Sequence, residues 1–379
     1  MERVVRLAVA VGLLLIGAAT VVAQLGQRPR PFPGPEPMGP PGQQRQTAPG
    51  TITPQSGPPY IDTHAHLDGR LPRGIPDYDG AVQVALRIMD ALNITKTVVM
   101  PPPFPPQHPN RYDHEDFLPA LRNHSERFAF LGGGGSLNGM VQEALTSGRT
   151  LPSLEQEFEA RAERILRDGA VGFGELAAEH LSFNPRHPYE SAPPDHPLFL
   201  RLADIAARHG VPMDLHMEAV AHDMPLPTRF LTPPNAPTLR ENLSGLERLL
   251  AHNREARIVW AHAGWDNTGH WTVKLCRRLL EKHPNLYMSI KIDSLSLPDN
   301  RPLANRVIRP EWVELLRAFP DRFVIGSDQF YTSPRLPIRR VPSAEGPRAF
   351  LNQLPADLAQ KVGIDTPRRL YHLAPGRGR

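Results

Sequence analysis

The chain has 379 residues, 40% hydrophobic and 22% charged, an ordinary balance for a globular protein. Its single cysteine, Cys276, excludes an intramolecular disulfide and an all-cysteine metal site. The formal net charge is +4, but Glu2, Arg3, Arg6, Arg28, Arg30, Glu36 and Arg45 carry +3 of it, so residues 60–379 hold about +1. A nearly neutral body lacks the electrostatic footprint of a nucleic-acid binder.

In chain order, residues 3–23 read RVVRLAVAVGLLLIGAATVVA. Arginines ahead of an apolar run, closed by small residues at Val21-Val22-Ala23, form the pattern of a secretory signal over residues 1–23. The run is near the lower limit for a membrane span, so an uncleaved N-terminal anchor is the alternative. Either way an exported protein, periplasmic or secreted, is expected. Residues 24–59 are rich in Pro, Gly and Gln and too poor in apolar anchors to fold, which predicts a disordered tether. The folded domain is expected over residues 60–379.

From Tyr60 onward, short apolar runs alternate with amphipathic stretches. Strands are predicted at 60–63, 96–100, 128–132, 170–176, 212–216, 257–262, 285–290 and 322–328. Helices are predicted at 81–92, 115–124, 153–168, 197–210, 238–253, 271–283 and 310–319. Apolar strands alternating with helices imply a parallel sheet buried on both faces. Eight units in this length match an α/β fold of the (β/α)8 TIM-barrel type. No Gly-rich phosphate loop follows the first strand; the run Gly132–Gly135 lacks a P-loop lysine and reads as a turn at the barrel mouth. Cys276 falls on the apolar face of its helix and reads as a packed thiol.

The residues that carry chemistry sit at strand ends. IDTHAHLD puts His64 and His66 two apart on the first strand, a spacing that brings both rings to one face. Two convergent imidazoles suit a divalent metal. Glu175 in VGFGEL, His216 in MDLH, His262 in VWAH and Asp328 in VIGSD occupy the corresponding ends of strands 4, 5, 6 and 8. Each alone has a local reading, such as a cap or a satisfied polar group at a loop entry. Ligand-type residues at five of eight strand ends, all at the end where barrel active sites lie, point together to a metal centre. Around it, Trp265, Asp266 and His270 read either as substrate contacts or as loop packing, Glu179, His180 and His187 as part of a lid, and the Pro-rich 101–109 as a pocket rim.

HxH on strand 1, His on strands 5 and 6, and Asp on strand 8 resemble the signature of the amidohydrolase superfamily. GIDTPRRLYHL (363–373) is similar to the C-terminal stretch of its amidohydrolase 2 branch, with Thr366 standing where that branch often has Asn. The resemblance covers residues 60–375 and implies a metal-dependent hydrolase acting on a small molecule. Many binuclear members carry a carboxylated lysine on strand 4. This chain has none there, so the resemblance implies that Glu175 bridges two ions, or that one ion is held by His64, His66, His216 and Asp328. Zn²⁺ is the expected ion, since imidazoles with carboxylates suit it and it brings the pKa of a bound water to roughly 7. Asp328 is expected to carry the proton, and His262 either to ligate or to polarise the scissile carbonyl. The bond cleaved is expected to be an amide, ester, lactone or related bond. The alternatives are a metal-dependent decarboxylase of the carboxymuconate-semialdehyde type and a non-catalytic binding protein on a retained barrel.

Overall fold

The computed structural model describes residues 52, 54–72, 74–146, 151–185, 187–231, 234–337 and 343–374. The signal segment 1–23 and most of the tether 24–59 lie outside the described residues. Among the described residues no helix is long and apolar enough to cross a membrane.

Eight parallel strand positions follow one another: β1 (Tyr60–Asp68), β2 (Ile94–Val99), β3 in two pieces (Phe128–Phe130 and Gly132–Gly133), β4 (Phe173–His180), β5 (Pro212–Met217), β6 (Arg257–Ala263), β7 (Leu286–Ile290) and β8 (Phe323–Ile325). Every neighbouring pair is parallel, and β1 also pairs with β8 through Asp62 opposite Ile325. The two pieces of β3 form the two ends of the sheet's path, one on β2 and the other on β4, with Leu131 alone between them. The sheet therefore comes round on itself in a TIM-barrel-like α/β fold, with strands in chain order as short right-handed crossovers require. All eight expected strands are present.

The helices cover the outside. They are α1 (Tyr78–Ala91), α2 (His114–Leu121), α3 (Leu137–Ala144), α4 (Leu151–Arg167), α5 (Pro197–His209), α6 (Leu243–His252), α7 (Val273–Lys282) and α8 (Pro310–Ala318). Their ends follow from local chemistry. Asp113 and Asp116 make a reciprocal capping box at α2. α5 opens on Pro197 and closes on Gly210 at φ 65. The helix expected over 238–253 begins five residues late. Thr238–Leu239 pairs instead with Met224–Pro225, and the Asn242 side chain bonds the backbone of Val220 and Glu218, which competes with helix formation. The core has two main parts, besides a small cluster of Leu181, Val220, Leu226, Phe230 and Leu239 among the loops. The larger packs helices on the outer strand faces and includes Trp260 stacked on Trp271 at 4.2 Å. The smaller gathers Ile61, Val98, Leu131, Val259 and Val324 from the strands with Ile364, Leu370, Tyr371 and Leu373 of the C-terminal segment, so the GIDTPRRLYHL stretch plugs the sheet's inner side. Cys276 is fully buried and burial pushes its thiol up to about 12, in keeping with a packed residue.

Packing begins just ahead of Tyr60. The Gln55 amide donates to Ala91, and Asn352 to the Ser56 carbonyl. Arg348, on Glu345–Leu351, is fully buried; it donates to the carbonyls of Leu92 at 2.6 Å and Pro58 at 2.7 Å and lies over the Tyr60 ring. Replacing Arg348 by Met leaves those buried carbonyls without donors, so unfolding in denaturant should show a loss of about 2–4 kcal/mol. An unchanged midpoint would mean that water replaces the guanidinium at no cost.

Candidate metal centre

The six residues expected at strand ends converge at one mouth of the sheet. Glu175 is the hub. Its Oε2 lies 3.4 Å from Nε2 of His64 and 3.4 Å from Nε2 of His66. Its Oε1 lies 2.8 Å from Nδ1 of His216 and 3.1 Å from Nε2 of His262. One carboxylate oxygen thus serves the β1 pair, and the other serves the β5 and β6 histidines. Asp328 reaches the group from beyond β8, with Oδ1 3.1 Å from His66 Nε2. Glu175 is not the terminal residue of its strand: β4 runs on to His180 through two register irregularities, so the carboxylate emerges from mid-strand.

Local chemistry sets these orientations. The Glu175 amide donates to Pro101, and His66 Nδ1 donates to the Met100 carbonyl at 2.9 Å. That bond turns Nε2 of His66 into the site, where it meets Oδ1 of Asp328 and Oε2 of Glu175. His64 Nδ1 stands 3.3 Å from Oδ1 of the buried Asp214, and His216 Nε2 stands 3.8 Å from Glu218 Oε1. Carboxylates behind ligating imidazoles are the usual outer support of a metal site. Gly134 is required here: a Cβ would meet the carbonyl oxygen of Pro101 at 2.2 Å and that of Glu175 at 3.0 Å. The tetraglycine run is therefore a close-packed turn under the site.

Burial alone would raise the Glu175 pKa, but the His64 charge and the bonds from His216 and His262 hold the carboxyl well below its ordinary range. For His64, burial favours the neutral ring, yet Asp214 and Glu175 raise its pKa well above the usual value. His216 is likewise raised, to about 9, as the contacts with Glu175 and Glu218 outweigh burial. His262 goes the other way, to about 3, through burial and the positive charges of Lys291, His216 and His64.

The donor set fits a divalent ion. His64, His66 and Glu175 form one group of converging ligand atoms, Glu175, His216 and His262 a second, and His64, His262 and Asp328 a third, each within 4.8 Å. Nδ1 of His262 is buried without a hydrogen-bond partner among the described residues, and the two ring nitrogens of His64 meet carboxylates only at 3.3 and 3.4 Å, outside hydrogen-bond geometry. Orphaned polar atoms at such depth are costly unless a ligand takes them.

The surrounding loops divide. Trp265 sits against the site, its ring 5.6 Å from His262 and 6.2 Å from His216. Asp266 accepts from Thr268, Gly269 and Asn300, and His270 accepts from the Ala221 amide, so both serve loop packing. His180 packs edge-on against His216. Glu179 takes a bond from Ser191, on the short antiparallel strand Glu190–Ser191 that covers β4. Lys291, immediately after β7, escaped the sequence reading: its Nζ is 2.6 Å from Asp328 Oδ2. A lysine is not a ligand type, and its only signal was its place at a strand end. A further group of Asp113, His114 and Glu115 is tied up by Arg161, Ser136 and Asp168 and lies apart from these residues.

Residues 147–373 match a family described as Amidohydrolase. Glu175, His216, His262 and Asp328 fall inside the matched span, and His64 and His66 precede it. No curated protein matches. Among solved structures, the chain is similar to a protein from Agrobacterium tumefaciens in its apo form (16% identity, 86% of this chain and 100% of that one, TM-score 0.46). It is also similar to an amidohydrolase 2 from Bifidobacterium longum subsp. infantis (14%, 83% and 99%, 0.42) and to an N-acetyl-D-glucosamine-6-phosphate deacetylase from Mycobacterium smegmatis (13%, 83% and 76%, 0.39).

Glu190 supplies a pH test. It is buried, accepts from Asn138 Nδ2 at 2.6 Å, and burial pushes its pKa up to about 8. The folded chain keeps this proton where the unfolded chain releases it, so stability is greatest below the ordinary glutamate pKa and falls as pH rises toward about 8. Gln accepts the same bond and stays neutral. Thermal midpoints across that window should fall less steeply in Glu190→Gln than in the wild type; parallel curves would show Glu190 ionised in the native state.

Proposed function

The chain belongs to the amidohydrolase family, and from that premise we propose that it hydrolyses an amide, ester, lactone or related bond of a small molecule, with one or two divalent ions held by His64, His66, Glu175, His216, His262 and Asp328. A metal-dependent hydrolase is what family membership supports; the bond type, the identity of the ion as Zn²⁺ and the export of the chain from its N-terminal segment are this proposal's additions. The observation that carries it is the buried Glu175 carboxylate, whose two oxygens divide four imidazoles into pairs. That division favours Glu175 as a bridge between two ions over a single-ion site.

When bound, the ion acidifies a water molecule and polarises the scissile bond. The protein's own groups do the rest. Asp328 is held below its ordinary pKa, with burial outweighed by the Lys291 charge and the bond to His66, so it is ionised and ready to take a proton from the attacking water and pass it to the leaving group. His262 is neutral and offers a ring N–H to charge developing on the scissile oxygen, or a lone pair to an ion. His64, His66 and His216, braced by Asp214, Met100 and Glu218, fix the geometry into which the substrate must fit.

Asp328→Asn keeps the shape but cannot take the proton, and turnover on a confirmed substrate should fall roughly 10²–10⁴-fold. The same change strips the Lys291 ammonium of its buried counter-charge, so the thermal midpoint should fall as well. Near-normal turnover at full metal content would pass the proton-carrier role to His262. Because protons on His64 and His216 compete with a cation, affinity for Zn²⁺ measured with a chelating indicator should tighten as pH rises from about 7 to about 9. An affinity independent of pH would remove the histidines from the ligand set.

A further inference from the structure

Lys291 is the one lysine or arginine among the described residues at the mouth that touches a proposed ligand carboxylate. Its backbone continues the ladder past β7, with its amide donating to Ala263 at 3.0 Å. Met288 and Ile290 belong to the outer core, so alternation turns Ser289 and Lys291 toward the inside. The side chain is 5% exposed. At its end, Nζ meets two partners: Oδ2 of Asp328 at 2.6 Å, and the face of Trp265 at 3.3 Å from the ring centroid. Asp293 stands further off at 3.9 Å. Trp265 is itself fixed, stacked at 22° on Phe183 and bonded through its amide to the His262 carbonyl.

Asp328 needs such a tether. It lies three residues beyond β8 at φ 53, a left-handed conformation uncommon for a non-glycine residue, though less so for Asp. Its side chain has two oxygens with two different partners, His66 on Oδ1 and Lys291 on Oδ2.

We propose that Lys291 is a positioning residue for Asp328: pinned on the face of Trp265, its ammonium holds one carboxylate oxygen so that the other is presented to His66 and the metal centre. The inference rests on the hydrolase reading for its kinetic consequence, but not for its structural one. A compact point charge on an unbranched stem suits the task, because it reaches into a buried site and bonds one oxygen without chelating both, as a guanidinium would. Lys291 does not touch substrate in this account. It acts through Asp328, and its loss should appear in kcat and leave KM near the wild-type value.

Two variants and two readouts test it. In Lys291→Met the ammonium is lost at similar length; kcat should fall at least tenfold, with KM within about threefold and metal content unchanged. In Lys291→Gln an amide N–H can still reach Asp328, and the fall should be smaller. Crystal structures of the metal-free variants give the second readout, which needs no substrate: in Lys291→Met the Asp328 carboxylate should leave His66, and in Lys291→Gln it should stay. A carboxylate that keeps its place beside His66 in Lys291→Met overturns the proposal, as does a kcat within twofold of wild type. If Lys291→Met does not fold, Lys291→Gln decides alone: Asp328 held beside His66 with kcat closer to wild type than in Asp328→Asn supports the tether, and a displaced carboxylate contradicts it. If no substrate is ever turned over, the hydrolase reading fails, and the crystallographic result still judges the tether.

Discussion

A carboxylate taken out of water costs several kcal/mol unless it is met by positive charge and hydrogen bonds. Glu175 meets that cost with four imidazoles drawn from three strands far apart in the chain. The requirement propagates outward. Imidazoles that lean on Glu175 need their own support, so Asp214 lies behind His64, Glu218 behind His216 and the Met100 carbonyl behind His66. Asp214 is fully buried in turn, and burial raises its pKa despite the nearby His64 charge. The mouth is thus a nest of mutually dependent charges.

The strand order of the sheet supplies this arrangement. The parallel order sets His64 and His66 on β1, Glu175 on β4, His216 on β5 and His262 on β6 around a common centre, while the C-terminal segment plugs the inner side with Ile364, Leu370 and Tyr371. Rigidity below permits strain above. His262 at φ 70 and Asp328 at φ 53 each hold a conformation costing about 1–3 kcal/mol for a non-glycine residue. Backbone bonds from Trp265 to His262 and from Asp328 to His64 help to keep them there.

The strands were legible because each is a compact apolar run bounded by turn residues, and the convergence of six ligand-type side chains at one mouth because they recurred where those runs stop. What stayed hidden was hidden for physical reasons. Lys291 ends its strand as plainly as His216 does, but its role comes from an ion pair with Asp328, a contact between distant segments that no local pattern encodes. Asp214, inside MDLH, looks like an ordinary strand residue until His64 arrives beside it. The late start of α6 depends on Asn242 bonding the backbone of Val220, again a partner fixed only by the fold. α3, a short helix over SLNGMVQEAL with Gly139 inside it, is a weak local helix held by burial of Leu137 and Val141.

The central claim is that the charge of Glu175 and the four imidazoles form a site for a divalent cation. Anomalous diffraction from crystals grown with Zn²⁺ tests it most directly. The account predicts one or two peaks within bonding distance of Glu175, with His64 and His66 on one side of the carboxylate and His216 and His262 on the other, and with direct contacts between Glu175 and the imidazoles opened to admit the ion. Crystals saturated with Zn²⁺ that show no peak at the mouth, with Glu175 still bonded directly to His216 and His262, would contradict it.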